Sequence, residues 1–224
     1  PLAIALVGCS DNNEVINMEK NGPKPTMDLH ITPQDGLVYG EKVNVSGLMT
    51  DERNLEQYVI TITNSAGDTL VRKQQSLLGQ SFNVNTDLLV SLPKNAKTEN
   101  LKLRVRLDNS RNGEAVEEFD INNVSAPTFD QLYLFLSTGE VYPLVKNGDE
   151  FSVADDIFFP ANTKGIVAST PDNSGMYWGA SNCEITTMAK DSIVIGADID
   201  ASFKVAFNPV NFELTKGEKH FWAP

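Results

Sequence analysis

The chain has little of what catalytic and metal centres usually require. Its 224 residues include only two cysteines and two histidines. No Gly-x-Ser-x-Gly elbow, His-Glu-x-x-His pair or phosphate-binding loop motif occurs in the sequence. We therefore predict no catalytic residues, no metal site and no cofactor, and we expect that the protein is not an enzyme.

Positive charge is also scarce. The chain carries 18 Lys and Arg residues against 30 Asp and Glu residues, for a formal net charge of −12. Binding of DNA or RNA depends on clustered cationic side chains. The composition therefore predicts that nucleic acid is not a partner.

Helical periodicity is nearly absent, and strand-like alternation replaces it. Apolar residues alternate with Lys and Arg over residues 101–107, a pattern typical of a half-buried antiparallel strand. Residues 58–63 predict another strand, and the Gly-containing turn at 64–68 predicts a hairpin. Short strands of this kind recur over residues 26–124, which predicts an immunoglobulin-like or fibronectin-like β-sandwich.

A second series of strands follows a boundary near Pro127. Pro cannot donate to a β-ladder, and here it comes directly after a complete strand. Further strands are predicted at residues 131–136, 165–169, 192–195, 201–207 and 211–214. The predicted fold class is therefore all-β, with two tandem antiparallel β-sandwiches at residues 26–124 and 125–224.

The first nine residues are apolar and end in Leu6-Val7-Gly8-Cys9. This run is too short to span a bilayer, which takes about 20 residues. It resembles the end of a bacterial lipoprotein signal peptide, which predicts lipidation at Cys9 and a flexible tether over residues 10–25. The alternative is a buried strand with a core cysteine. If Cys9 carries lipid, Cys183 has no disulfide partner, and we predict that it is a small buried side chain.

Aromatic residues provide the main functional lead. Tyr177 and Trp178 fall in a stretch rich in polar and turn residues at 171–182, together with Asn173. Aromatic faces can stack on sugar rings while amides bond to hydroxyls, so we predict a glycan-binding site formed by Tyr177, Trp178, Asn173 and Trp222. The alternative is that Trp178 packs in the sandwich core with its N–H satisfied.

Several features together resemble a known family. They are the Leu6–Cys9 motif, the acidic residues after Cys9, the residues at 49–55 before a strand, and the sandwich order. The chain resembles the starch-utilisation-system E/F-type lipoproteins of Bacteroidetes. The resemblance implies a non-catalytic, surface-exposed outer-membrane lipoprotein that binds extracellular polysaccharide or oligosaccharide for a glycan-uptake system. It also implies a TonB-dependent transporter complex as partner.

Two other classes of function remain open. A cell-surface adhesin, or a fimbrial or scaffold subunit, would act through protein contact at an exposed sheet edge. If the strongly apolar residues 132–136 were exposed, they could form such a contact, although we expect them in the core. A glycoside hydrolase would require two carboxylates that converge in a cleft, and pairs such as Asp155 and Asp156 do not stand out by spacing.

Overall fold

The computed structural model describes residues 23–221, which form β-strands and no helix. No helix long and apolar enough to cross a membrane is found within this part of the chain. The predicted lipidation site at Cys9, most of the predicted tether and Trp222 lie outside the described residues. The all-β prediction is confirmed.

The first sandwich is built from seven strands in two antiparallel sheets. The strands are β1 (Thr26–Thr32), β2 (Lys42–Thr50), β3 (Leu55–Thr63), β4 (Thr69–Ser76), β5 (Ser81–Leu89), β6 (Glu99–Asn109) and β7 (Glu114–Val124). One sheet has the order β1-β2-β5, and the other has the order β4-β3-β6-β7. This division into three and four strands is the immunoglobulin-like and fibronectin-like arrangement expected from the sequence.

The alternation in β6 shows why this segment forms a half-buried strand. Leu101, Leu103 and Val105 are fully buried between the sheets. The intervening cations point outward, where Lys102 Nζ lies 3.4 Å from Asp120 Oδ1 on β7. Exposed ion pairs contribute little, so the buried leucines and valines stabilise this strand.

A buried asparagine fastens one end of the first sandwich. Asn109 Nδ2 donates to Pro23 O and to Asp51 Oδ2, at 2.9 Å in both cases. Its Oδ1 accepts from Arg111 N at 3.0 Å and from Gly113 N at 2.8 Å. Asn109 thereby joins the incoming chain, the β2–β3 loop and the β6–β7 hairpin.

The second sandwich has a large sheet and a small one. Its strands are β8 (Gln131–Leu136), β9 (Val141–Asn147), β10 (Glu150–Ser152), β11 (Ile157–Phe159), β12 (Lys164–Ala168), β13 (Tyr177–Ser181), β14 (Glu184–Thr187), β15 (Ile193–Val194), β16 (Ala201–Phe203), β17 (Val205–Asn208), β18 (Glu213–Lys216) and β19 (His220–Phe221). The nine-stranded sheet runs β14-β13-β12-β8-β9-β10-β17-β18, with β15 on β12. The small sheet has the order β11-β16-β19. As expected, Leu132, Leu134 and Leu136 are in the core.

Two expectations about the second sandwich are wrong. The single strand predicted at 201–207 divides at Lys204, because β16 pairs with β11 in the small sheet whereas β17 pairs with β10 in the large one. Strands that switch sheets make the corners of a sandwich in this way. Cys183 is exposed rather than buried. With Asn182 it forms the two-residue β13–β14 turn, and both have positive φ, as in a type I′ turn.

The two sandwiches meet along a packed seam. Leu92, in the loop between β5 and β6, is buried, and its carbonyl accepts a 2.9 Å hydrogen bond from Thr187 Oγ1 of the second sandwich. Asn95 N donates to Val210 O at 2.7 Å. The connection between β7 and β8 is held from the first sandwich, since Ser125 N donates to Leu37 O at 3.0 Å.

Replacing Asn109 by Leu should destabilise the first sandwich by about 2–4 kcal/mol, because the change leaves several buried polar groups without partners. Urea unfolding followed by far-UV circular dichroism would measure the loss. Asn83→Leu is the matched control, since Asn83 is exposed on β5, and we expect a change within about 0.5 kcal/mol. Equal effects of the two substitutions would contradict a structural role for Asn109.

Candidate functional site

The polar stretch singled out from the sequence forms a tight loop before β13. Asp172 Oδ1 accepts from Ser174 Oγ at 2.7 Å and from Ser174 N at 3.1 Å. Gly175 N donates to Thr170 Oγ1 at 3.0 Å, and Ser169 N donates to Met176 O at 2.8 Å. The hydrogen bonds from the Ser174 side chain and backbone, followed by that from Thr170, lower the pKa of Asp172 to about 2.

Asn173 occupies the tip of this loop. Its φ of 56° is left-handed, a conformation that Asn tolerates better than most residues. The residue is half-buried, and its Oδ1 is enclosed without a hydrogen-bond partner among residues 23–221. Asn173 therefore allows the loop to turn at this position. Its predicted contact with sugar hydroxyls stays a prediction.

Trp178 lies in strand β13, not in a loop, and is fully buried. Its ring centroid is 5.4 Å from Phe129, 5.2 Å from Phe207 and 6.2 Å from Phe212. The prediction that Trp178 is an exposed stacking platform is therefore wrong, because aromatic side chains enclose the indole. Its Nε1 has no hydrogen-bond partner in the described chain, which differs from the satisfied N–H expected of a core tryptophan.

Tyr177 points to the opposite face of the sheet from Trp178, because successive side chains of a strand alternate. Tyr177 pairs with Ala168 on β12, Ala168 pairs with Tyr133 on β8, and Tyr133 pairs with Pro143 on β9. Directly paired residues share a face, so Tyr177, Ala168, Tyr133 and Pro143 form a row across four strands. We call this the aromatic row. Tyr133 Oη donates to Gln131 Oε1 at 3.1 Å, which orients the ring.

The aromatic row crosses a surface with little charge. We define the outer face as the outward-pointing residues of the three central strands β12, β8 and β9. They are Lys164, Ile166, Ala168, Gln131, Tyr133, Phe135, Val141, Pro143, Val145 and Asn147. Ala168 is fully buried, whereas the others are at least partly exposed. Lys164 is the one ionisable group in this set apart from Tyr133. The next strand, β10, adds a carboxylate to the edge of the same face, because the exposed Glu150 pairs directly with Asn147.

Exposed apolar side chains extend the outer face. Val141 and Val145 are 43% and 55% exposed, and Tyr133 and Phe135 are half-buried. The pattern was readable in the sequence, because residues 131–136 alternate between Leu and Gln, Tyr or Phe. The segment is predicted above only as a strongly apolar strand, and its two aromatic residues, Tyr133 and Phe135, are not among the predicted site residues.

A cleft of about 280 Å³ opens at the seam beside this sheet. This is close to the lower end of ordinary small-molecule sites, about 300 Å³. Its lining residues come from both sandwiches. They are Gly40, Lys42, Leu89, Ser91 and Leu92 from the first and Ser174, Gly175, Met176, Thr187 and Met188 from the second. A Cβ at Gly40 would collide with the end of the Met176 side chain, so the two walls are in close contact there.

Hydrogen bonds around Glu99 hold the first-sandwich wall of this cleft. Glu99 Oε1 accepts from Tyr39 Oη at 2.9 Å, and Glu99 Oε2 accepts from Ser65 N at 2.9 Å and from Ser65 Oγ at 2.6 Å. Burial opposes ionisation of Glu99, but these hydrogen bonds outweigh it and lower its pKa. The pKa of Tyr39 is raised mainly by burial, then by its hydrogen bond to Glu99 and by the negative charge of Glu99. Gly40 follows Tyr39 directly in the chain, so the hydrogen bond from Tyr39 to Glu99 also restrains the position of Gly40.

The remaining carboxylates do not converge on the aromatic row. Asp155 and Asp156 border a separate hollow of about 250 Å³ with Tyr142, and Asp156 Oδ2 is 3.5 Å from His220 Nε2. Within residues 23–221, no three His, Cys, Asp or Glu side chains gather as a metal site would require.

Compared with protein-family models and with curated proteins, the sequence shows no significant match. The function proposed below is therefore inferred from the structure of this chain alone.

Replacing Trp178 by Ala should destabilise the second sandwich by about 3–5 kcal/mol, because the change leaves a large cavity among three phenylalanines. Tyr177→Ala is the matched control, since its half-buried side chain lies on the other face of the same strand, and we expect a loss of about 1 kcal/mol or less. Urea denaturation followed by circular dichroism would measure both. An unchanged midpoint for Trp178→Ala would show that the ring is not part of the core.

The Asp172 carboxyl should titrate near pH 2 in a pH series of NMR spectra. Ser174→Ala should raise this pKa toward the ordinary value of about 3.9. Because the folded-state pKa is depressed, the loop gains stability above pH 3.9 or so and loses that gain as the pH falls through about 2. Identical titration of the two proteins would contradict the assigned hydrogen bonds.

Proposed function

We propose that this protein is a non-catalytic, lipid-anchored outer-membrane protein that binds extracellular polysaccharide for a glycan-uptake system. The observation that supports the proposal is the aromatic row on an outer face whose three central strands carry no carboxylate. The proposed site includes Tyr177, as predicted from the sequence, and Tyr133, which takes the role first assigned to Trp178. Trp222 stays a candidate outside the described residues.

The geometry suits a polymer better than a small molecule. Tyr177 and Tyr133 are two strands apart, which corresponds to roughly 10 Å. Their rings offer apolar surface for the C–H faces of sugars, and Gln131 and Lys164 offer hydrogen-bonding groups on the same face. An open sheet face lets a chain pass across the protein without an end entering a pocket.

Membrane attachment would allow several copies of the protein to hold one glycan even if each copy binds it weakly. Lipid at Cys9 would hold the protein at the surface, and the several acyl chains of a bacterial lipoprotein bind a membrane far more firmly than one chain does. Many anchored copies can engage one polymer, so the effective concentration of sites is high. Transfer of the glycan to a TonB-dependent transporter complex is part of this proposal.

The alternative is an adhesin or scaffold subunit that acts through protein contact. The exposed Val141, Pro143 and Val145 favour this second candidate, because apolar patches on monomers often mark protein interfaces. A protein partner would bind the same outer face as a glycan would. The two proposals therefore differ in the kind of ligand and not in the binding site.

Affinity electrophoresis of the full chain through gels that contain plant, host and microbial polysaccharides would test the proposal. We expect retardation in at least one gel, and about tenfold weaker binding for Tyr133→Ala and for Tyr177→Ala, since each removes a central apolar contact.

Tyr142→Ala is the matched control, because Tyr142 is also half-buried but points to the other face of the neighbouring strand β9, where it packs against the core. Circular dichroism at the temperature of the gels would show that this variant is folded. It should migrate as the unmodified protein does. Free migration in every gel would reject glycan binding and favour the protein-contact alternative. Equal weakening by Tyr142→Ala would reject the aromatic row as the site.

A further inference from the structure

The seam cleft is continuous with the end of the aromatic row. Met188 N donates to Tyr177 O at 2.8 Å, so Met188 sits opposite Tyr177 across the β13–β14 hairpin. Met176 precedes Tyr177 in the chain. Both methionines line the cleft. The end of the aromatic row at Tyr177 is therefore adjacent along the backbone to two residues that line the cleft.

The cleft differs electrostatically from the rest of the molecule. Lys42 is the one ionised side chain among the lining residues, and no carboxylate lines the cleft. The carboxylate bonded to the lining itself is Asp172, whose Oδ1 accepts from Ser174 Oγ at 2.7 Å. Two others accept hydrogen bonds from neutral groups, since Glu41 Oε2 accepts from Val38 N at 3.0 Å and Asp87 Oδ1 accepts from Asn44 Nδ2 at 2.9 Å. The Lys42 ammonium makes no ion pair or hydrogen bond with any described residue.

The other lining groups suit one sugar unit with an acidic substituent. Ser91 presents a hydroxyl, whereas the Ser174 hydroxyl already donates to Asp172 Oδ1 and the Thr187 hydroxyl to Leu92 O. Leu89, Met176 and Met188 supply apolar surface, and methionine adapts readily to the shape of a ligand. An anion entering this cleft meets one cation, Lys42, whose local attraction acts against the repulsion from a net charge of −12, so the proposed ligand carries its charge on single sugar units and is not a dense polyanion.

We propose that the cleft binds the carboxylate of an acidic sugar unit through Lys42, so that the glycan held on the outer face is a uronic-acid-containing polysaccharide. This inference rests on the proposed function and narrows its ligand class. The Lys42 ammonium pairs with the carboxylate, the Ser91 hydroxyl bonds to the sugar, and the methionines cover the apolar edge of the ring.

The test compares acidic polysaccharides with their own carboxyl-reduced forms, in which each carboxylate becomes a hydroxymethyl group. Binding of the full chain is measured for a panel of uronic-acid-containing polymers by affinity electrophoresis and by titration calorimetry. We expect at least one acidic polymer to bind about tenfold more tightly than its reduced form, and the difference to shrink as salt is added.

Lys42→Met keeps most of the aliphatic stem and removes the charge. It should weaken binding of the acidic polymer by about three- to tenfold and leave binding of the reduced form unchanged. Lys97→Met is the matched control, since Lys97 is exposed outside the cleft and its loss changes the net charge equally. It should have no effect on either form.

The outcomes separate the two proposals. If polysaccharides bind but acidic and reduced forms bind equally, the role of Lys42 is rejected and the proposed function stands. If Lys97→Met weakens binding as much as Lys42→Met does, the effect is one of net charge and the cleft assignment is rejected. If no polysaccharide binds, both proposals fail.

Discussion

The edge-to-face contact between Phe129 and Trp178 is the interaction on which the arrangement of the two sandwiches depends. Phe129 belongs to the short connection between β7 and β8, whose first residue, Ser125, is bonded on both sides to the β1–β2 loop. The connection is therefore fastened to the first sandwich at one end and inserted into the core of the second at the other. Because both ends are fixed, the walls of the seam cleft have a defined spacing.

The same strand that supplies Trp178 to the core supplies Tyr177 to the surface. Alternation along β13 forces this division, so the burial of one aromatic residue determines the exposure of the other. A shift of register by one residue would bury Tyr177 and expose Trp178. The outer face is consequently coupled to core packing, although none of its side chains contributes to the contacts around Trp178.

Much of the fold could be predicted from the sequence, because it follows from local patterns. The alternation at 101–107 and 131–136 and the hairpin turn at 64–68 each identify an element by short-range rules. The candidate site could be predicted only in part. Tyr177 was found from composition, but its neighbour Tyr133 depends on a pairing between strands that are about 35 residues apart, which no local pattern encodes. Burial of Trp178 and the division of residues 201–207 between two sheets are likewise tertiary effects.

In the proposed lipid-anchored arrangement, the hydrogen bonds around Asn109 place the first sandwich between the predicted tether and the proposed binding surface. Asn109 holds Pro23 at one end of the first sandwich, whereas Gly40 and Leu92 meet the second sandwich at the other end. A nine-residue strand such as β2 spans roughly 30 Å between these ends. A glycan bound as proposed would therefore lie about one sandwich length beyond Pro23, where the predicted tether joins the first sandwich.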